Sequence, residues 1–253
     1  MNYALVTGAS SGIGREFARQ LAERGYHLIL AARREEELNQ LADQLKQQHG
    51  VHVAVCACDL TREEEVRRLY EFCAEFEVEV LVNNAGFGKL GYFEHIPLEQ
   101  ELDMIRVNVI APHMLMKLFL SRMTEGYILN VGSMAGYQPN PCFAAYGASK
   151  SYLIQLSQAV GYELRRTGSR VSVSVLCPGP VDTEFNQVAE GKFHAKAMTA
   201  EEAARIGIEG MLAKKPVIVT GAKMKLCKFA GRILPDSAMV AMEYKIQKKK
   251  RGD

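Results

Sequence analysis

Residues 3–14 read Tyr3-Ala4-Leu5-Val6-Thr7-Gly8-Ala9-Ser10-Ser11-Gly12-Ile13-Gly14, a short apolar run that breaks into three glycines and then into helical periodicity. Apolar residues at consecutive positions suit a strand buried on both faces. Glycines directly after such a strand let the backbone turn tightly and approach a pyrophosphate, whose charge sits well at the N-terminus of the next helix. The spacing is Gly-x-x-x-Gly-x-Gly, not the Gly-x-Gly-x-x-Gly of the general dinucleotide fingerprint. Gly8, Ser10, Ser11, Gly12, Ile13 and Gly14 are the candidate phosphate-binding residues, the plainer alternative being a glycine-rich turn with no ligand.

Strand-like runs alternate with helical periods along the rest of the chain. Six more strands are expected, at His27–Ala31, Val51–Cys56, Val80–Asn83, Tyr127–Val131, Val171–Leu176 and Val217–Val219. Helices are expected from the glycine turn to about Arg24, then at Glu35–Gln48, Thr61–Phe76 (capped by Thr61), Leu98–Leu120, Tyr146–Arg166 and Ala200–Ala213. This alternation argues for an α/β fold, a Rossmann-type doubly wound parallel sheet of about seven strands with helices on both faces. No linker or repeat divides the 253 residues, so one domain is expected, with a core over 1–190, a lid helix and last strand over 191–222 and a basic extension over 223–253.

Composition narrows the function classes. Hydrophobic residues make up 48% and charged residues 24%, as in a globular protein with a core. No apolar run approaches the roughly 20 residues that cross a bilayer. No signal peptide is evident, so a cytoplasmic location is expected. Six scattered cysteines without a Cys-x-x-Cys pair argue against a disulfide framework or a metal site.

The second strand ends Ala31-Ala32-Arg33-Arg34, with no acid to bind a ribose 2′-hydroxyl. Arg33 there would bind a 2′-phosphate through charge-assisted hydrogen bonds, which points to NADP(H). Further on, Tyr146-Gly147-Ala148-Ser149-Lys150 places a phenol and an ammonium one helical turn apart. A cation a few ångströms from a phenol stabilises the phenolate and lowers its pKa from about 10.

With these stretches the chain resembles the short-chain dehydrogenase/reductase family over about residues 3–190. Asn83-Asn84-Ala85-Gly86 looks like the family motif that stabilises the central sheet and lines the adenosine side, which implies cofactor contacts at Asn84, Ala85 and Gly86. Asp59, followed by Leu60, matches the acid that contacts the adenine ring. Asn108, Ser133, Tyr146 and Lys150 match the catalytic residues. Pro178-Gly179-Pro180-Val181-Asp182-Thr183 resembles the loop that holds the nicotinamide carboxamide, with contacts implied at Pro178, Gly179, Val181 and Thr183. The resemblance implies a dimer or tetramer, paired through helices Leu98–Leu120 and Tyr146–Arg166. It also implies roles: Tyr146 as proton donor, Ser133 polarising the carbonyl, Lys150 lowering the Tyr146 pKa and holding the nicotinamide ribose, and Asn108 holding a water that links Lys150 to solvent.

Phe87, Leu90, Tyr92, Met134, Tyr137, Cys142, Phe143 and Phe185 are the expected substrate lining, with Glu184 and Asn186 as polar additions. That lining suits a lipophilic ketone or acyl-chain carbonyl. A flexible lid is expected over Gly191–Thr199, with His194 as a surface residue. Residues 223–253 hold nine basic and three acidic residues, a local surplus of six against +2 for the whole chain. Within them Leu226, Phe229, Ala230 and Ile233 form one helical stripe and Lys225, Lys228 and Arg232 a neighbouring one. The stripe is expected to pack on the protein's own substrate cleft, with a membrane surface as the less favoured partner. Lys248–Arg251 is expected to be a disordered end, and no element reads nucleic acid. The leading function is an NADP(H)-dependent oxidoreductase acting on a small-molecule carbonyl or alcohol. The alternative is a non-catalytic NADP(H) sensor or scaffold, since a fold alone does not fix chemistry.

Overall fold

Ala4, Leu5 and Val6 are fully buried although neighbouring strand residues point to opposite faces, so the sheet is covered on both sides. A computed structural model describes residues 2–189, 197–231 and 233–251. In chain order it runs β1 (Tyr3–Thr7), α1 (Gly12–Glu23), β2 (His27–Ala32), α2 (Glu35–His49), β3 (Val53–Ala57), α3 (Glu63–Phe72), β4 (Val78–Asn83) and α4 (Leu98–Ile105). After them come α5 (Ala111–Leu120), β5 (Glu125–Val131), α6 (Ala144–Arg166), β6 (Arg170–Cys177), β7 (Val181–Asp182) and α7 (Phe185–Val188). The last elements are β8 (Met198–Thr199), α8 (Ala200–Leu212), β9 (Val217–Val219), α9 (Ala222–Ala230) and α10 (Asp236–Arg251).

Seven strands form one sheet in the order β3-β2-β1-β4-β5-β6-β9, and every pairing is parallel. The chain winds outward from β1 to β3, then returns to β4 on the other side of β1. That reversal opens a crevice beyond the C-terminal ends of β1 and β4, where ligands bind in such sheets. One face packs on α1, α2 and α8 through Phe17, Leu21, Leu41 and Ile208. The other packs on α3, α5 and α6 through Leu69, Leu115, Phe119 and Leu156.

Three expected boundaries change for local reasons. Helix α3 begins at Glu63 behind Arg62, not Thr61, because the Asp59 carboxylate accepts the Thr61 N–H at 3.1 Å and holds it in a turn. The helix expected over Leu98–Leu120 is interrupted by a π-turn at Arg106–Ile110. Pro112 has no N–H to give the Asn108 carbonyl, so regular α hydrogen bonding fails there. The Lys248–Lys250 run, expected to be disordered, lies in α10, which buries Met239, Glu243 and Gln247 along one face.

The apolar stripe of α9 also departs from expectation. It does not pack on the substrate cleft: Leu226, Phe229 and Ile233 are exposed. Much apolar surface of α4, α5 and α6 is used within the chain, since Met104, Leu115, Met116, Phe119 and Leu153 are buried, while Ile105 and Tyr152 stay exposed. Among the described residues no helix is long and apolar enough to cross a membrane.

A buried amide ladder ties β4, β5 and α6 together. Asn83 and Asn130 lie opposite each other, and Asn83 Nδ2 donates to Asn130 Oδ1 at 2.8 Å. Asn130 Nδ2 donates to Ser157 Oγ at 2.8 Å. Asn130→Ala would strand its partners in a dry site. It is expected to cost about 2–3 kcal/mol, read as a lowered urea midpoint at unchanged slope.

Candidate active site

The phosphate turn is held from beneath by β4. Thr7 Oγ1 donates to the Val82 carbonyl at 3.2 Å and accepts from the N–H groups of Asn84 and Ala85 at 3.0 and 3.1 Å. Asn84 Nδ2 in turn donates to the Thr7 carbonyl at 2.9 Å. Gly8 and Gly12 adopt φ of +67° and +54°, a region that strains any side chain. A Cβ on Gly14 would fall 2.1 Å from the Gly8 carbonyl oxygen, so the turn closes only with glycine there. Helix α1 has no acid in its first turn, and Ser11 does not cap it through its side chain. These backbone groups fit the pyrophosphate of a dinucleotide. Ser10 and Ser11 lie on this turn, whereas the Ile13 side chain packs against the core and leaves only its backbone for a ligand.

Beyond β3 and β4, Leu60 and Ala85 meet Thr7 and Val107 around a narrow gap. Asp59 stands at its edge, with Oδ1 on the Thr61 N–H. Of the two arginines after β2, the structure brings Arg34 to the turn. Its guanidinium donates to Ser10 Oγ at 3.2 Å and pairs with Glu184 at 3.1 Å. Arg33, the residue expected from sequence, is exposed at the same strand end. Glu184, expected near substrate, is engaged by Arg34 instead.

Ser133, Tyr146 and Lys150 converge where β5 meets α6. Ser133 follows β5 in extended conformation, and its hydroxyl accepts the Ala135 N–H at 3.1 Å and faces the Tyr146 phenol. Tyr146 and Lys150 lie one turn apart on the buried face of α6. Lys150 Nζ donates to the Val131 carbonyl at 2.9 Å and sits 5.8 Å from the Tyr146 ring centroid. Burial pushes the Tyr146 phenol up to about 12, against the hydrogen bond with Ser133, which lowers it. Burial also drops the Lys150 ammonium to about 8, against Cys177, which raises it. In the free protein burial sets the direction of the Tyr146 shift, and Lys150 does not offset it.

Asn108 sits in the π-turn and is buried. Its Nδ2 donates to the Phe87 carbonyl at 2.9 Å and to Ser149 Oγ at 3.0 Å, while its Oδ1 accepts the Phe87 N–H at 3.1 Å. It thus clamps the chain after β4 to α6, a positioning role the sequence did not disclose. A Cβ on Gly86 would lie 2.8 Å from Asn108 Oδ1 and 3.2 Å from Lys150 Nζ, so Gly86 keeps the space between them open.

The loop after β6 closes the other side. The Pro178 carbonyl accepts the Met134 N–H at 3.0 Å, and the Gly179 N–H donates to Thr220 Oγ1 at 3.2 Å. Val181 pairs in β7, and Thr183 faces Gly12, where a Cβ would come within 3.2 Å of its methyl group. The loop after β6 and the glycine turn after β1 therefore touch.

An apolar cluster covers Tyr146. Phe143 stacks on its ring at 4.3 Å, Phe185 lies at 5.4 Å, and Leu90, Cys142, Phe87 and Tyr92 complete the group. Met134 and Tyr137, expected beside them, pack instead with Ile154, Val175 and Cys177. Members beyond the expected lining include Met104, Ala145 and Tyr244 of α10, whose hydroxyl meets that of Tyr92 at 3.0 Å. Of the lid expected over Gly191–Thr199, residues 191–196, with His194, lie outside the described residues, as does Arg232, and Met198–Thr199 pair as β8 with β7.

Comparison with known proteins places this geometry in company. The family model for short chain dehydrogenases matches residues 2–192. The very-long-chain 3-oxoacyl-CoA reductase of Anas platyrhynchos is 31% identical over 258 residues, covering 99% of this chain and 81% of that protein. The enzyme of the same name from Laccaria bicolor is 38% identical over 171 residues, 65% of this chain, which spans about half (51%) of that relative's length. A short-chain dehydrogenase from Sphingobium yanoikuyae in complex with NADPH superposes with a TM-score of 0.82 at 28% identity, covering 92% of this chain and 93% of that one.

Two expectations test the site's physics. Gly14→Ala should abolish dinucleotide binding, measured by fluorescence titration, because the Cβ displaces the Gly8 peptide. Lys150→Met should be more stable than the parent at pH 7 by up to roughly 3 kcal/mol, the cost of a lysine pKa lowered from 10.5 to about 8. The unfolded chain binds the extra proton between those values. The parent therefore regains this stability as pH rises above 8, and the gap in melting temperature should narrow.

Proposed function

The chain belongs to the short-chain dehydrogenase family, and we propose that it is an NADP(H)-dependent reductase of lipophilic ketone or acyl-chain carbonyls. The observation that carries this reading is the buried Tyr146 phenol, set against Ser133 and Lys150 beneath an apolar cluster. A sensor would need the phosphate turn but not this set.

NADPH, when bound, supplies the hydride. Gly8–Gly14 would hold its pyrophosphate, Asp59, Leu60 and Asn84–Gly86 its adenosine, Arg34 with Ser10 its 2′-phosphate, and Val181 and Thr183 its carboxamide. Tyr146 donates its proton to the substrate carbonyl oxygen as charge develops there, and its raised pKa keeps it in the donor form at neutral pH. The Ser133 hydroxyl polarises and orients the same oxygen. Lys150, charged below about pH 8, stabilises the phenolate left behind and holds the nicotinamide ribose. Between Asn108 Oδ1 and Lys150 Nζ, the space above Gly86 would take the water through which Tyr146 is reprotonated. Leu90, Phe143 and Phe185 exclude solvent and select an apolar chain. The 3-oxoacyl-CoA reductase relatives and the apolar lining both favour an acyl-chain substrate over a polar one.

Exposed Ile105 and Tyr152 on α4 and α6 are read as the face of a homodimer or homotetramer. Tyr152→Glu should elute as a smaller species than the parent. NADPH oxidation against ketones graded by chain length should rise with length. Tyr146→Phe should lose it by about 100- to 10,000-fold without losing NADPH binding. Full turnover in that variant would defeat the assignment. Arg34→Ala should raise the KM for NADPH by roughly 10- to 100-fold and leave NADH unaffected, and Arg33→Ala should do less.

A further inference from the structure

Helix α9 is amphipathic in the inverse sense to an ordinary surface helix. Its inward side carries Met224, Lys228 and Gly231. Met224 fronts Gly179, whose Cβ would lie 2.8 Å from the sulfur, and the Lys228 ammonium lies 4.6 Å from the Tyr137 ring centroid. Gly231 faces Met239 and Gln138. Leu226 and Phe229, with Ile233 in the turn that follows, occupy the opposite side at helical spacing and are 66%, 61% and 66% exposed. Leu234 beside them is 44% exposed. By the same spacing Lys223 and Lys225 fall on the two flanks of this ridge, and both are exposed. The helix therefore presents an apolar crest between two cations, on the most basic segment of the chain.

We propose that this crest docks the protein on the surface of an anionic phospholipid bilayer. An interfacial helix inserts apolar side chains to the depth of the headgroups while flanking lysines meet lipid phosphates, and this helix has both parts in place. A second copy of the chain is a poor occupant, because an isologous contact would set the flanking lysines of one copy among those of the other. A nucleic acid would meet the crest before the charges. Docking here lays the bilayer beside the carboxamide loop, which α9 touches through Met224. It also lies near α10, whose Tyr244 closes the apolar cluster over Tyr146. The inference concerns surface chemistry alone and holds whichever carbonyl is reduced.

Flotation of the full chain with phosphatidylcholine vesicles, with and without phosphatidylglycerol, tests it. The expected result is binding at least about tenfold stronger to the anionic vesicles, weakened by salt. Leu226→Ser/Phe229→Ser and, separately, Lys223→Glu/Lys225→Glu should each lower binding by at least about tenfold, with melting temperature and turnover of a short soluble ketone unchanged. Three results would overturn the proposal. One is no binding to either vesicle. Another is equal binding by the parent and both variants. The third is a parent oligomer that the Leu226→Ser/Phe229→Ser change dissociates, which would assign the crest to a second copy.

Discussion

The closeness of the phosphate turn to the end of β4 governs the rest of the site. Thr7 exchanges two hydrogen bonds with Asn84 and accepts a third from the Ala85 N–H, and the peptide of Gly8 lies against Gly14 and Ala85 with no room for a Cβ. This contact stands where the strand order reverses, so it fixes the floor of the crevice and the entry angle of α1 together. From it the carboxamide loop is placed by Thr183 on Gly12, and Arg34 by Ser10. A sheet of buried parallel strands supplies the rigidity that keeps so many short contacts in register.

Helix α6 carries its polar pair against the preference of a dry interior. An ammonium held in a dry interior by one carbonyl is unfavourable for folding, and its pKa falls accordingly. Tyr146 beside it is held protonated by the same dryness. Further along the helix, Ser157 joins the amide ladder through Asn130, which anchors the stripe that carries both groups. The buried polar network and the sheet core thus support a pair that would not remain buried without them.

Much of this was legible from residue order. Short apolar runs disclosed the seven strands of the main sheet, several of them continuous because they are buried on both faces. The glycine spacing, Ser133, Tyr146 and Lys150 were legible because each lies just past a strand end or on a strongly periodic helix. What escaped notice depended on the direction of single side chains. Two adjacent arginines end β2, and only packing decides that Arg34 turns to Ser10. The π-turn had one available signal, Pro112, whose missing N–H faces the carbonyl of Asn108. The C-terminal segment misled because hydrophobic spacing says that a stripe exists, not which side the rest of the molecule lies on. Met224, Lys228 and Gly231 make the inward contacts, and the better apolar stripe faces out. In α10, Lys248 and Lys249 are exposed as a solvated end would be, but they continue a helix whose Glu243 and Gln247 are buried.

The hydroxyl contact between Tyr92 and Tyr244 joins the loop after β4 to the C-terminal helix across the apolar cluster. Neither residue belongs to the turn, the ladder or the Ser133–Tyr146–Lys150 set, so the roof of the site is separable from what lies beneath it. A lineage could exchange this roof, by point changes or by replacing the terminal helix, while inheriting the reaction intact. Divergence in what is recognised can then proceed without renegotiating how the bond is made.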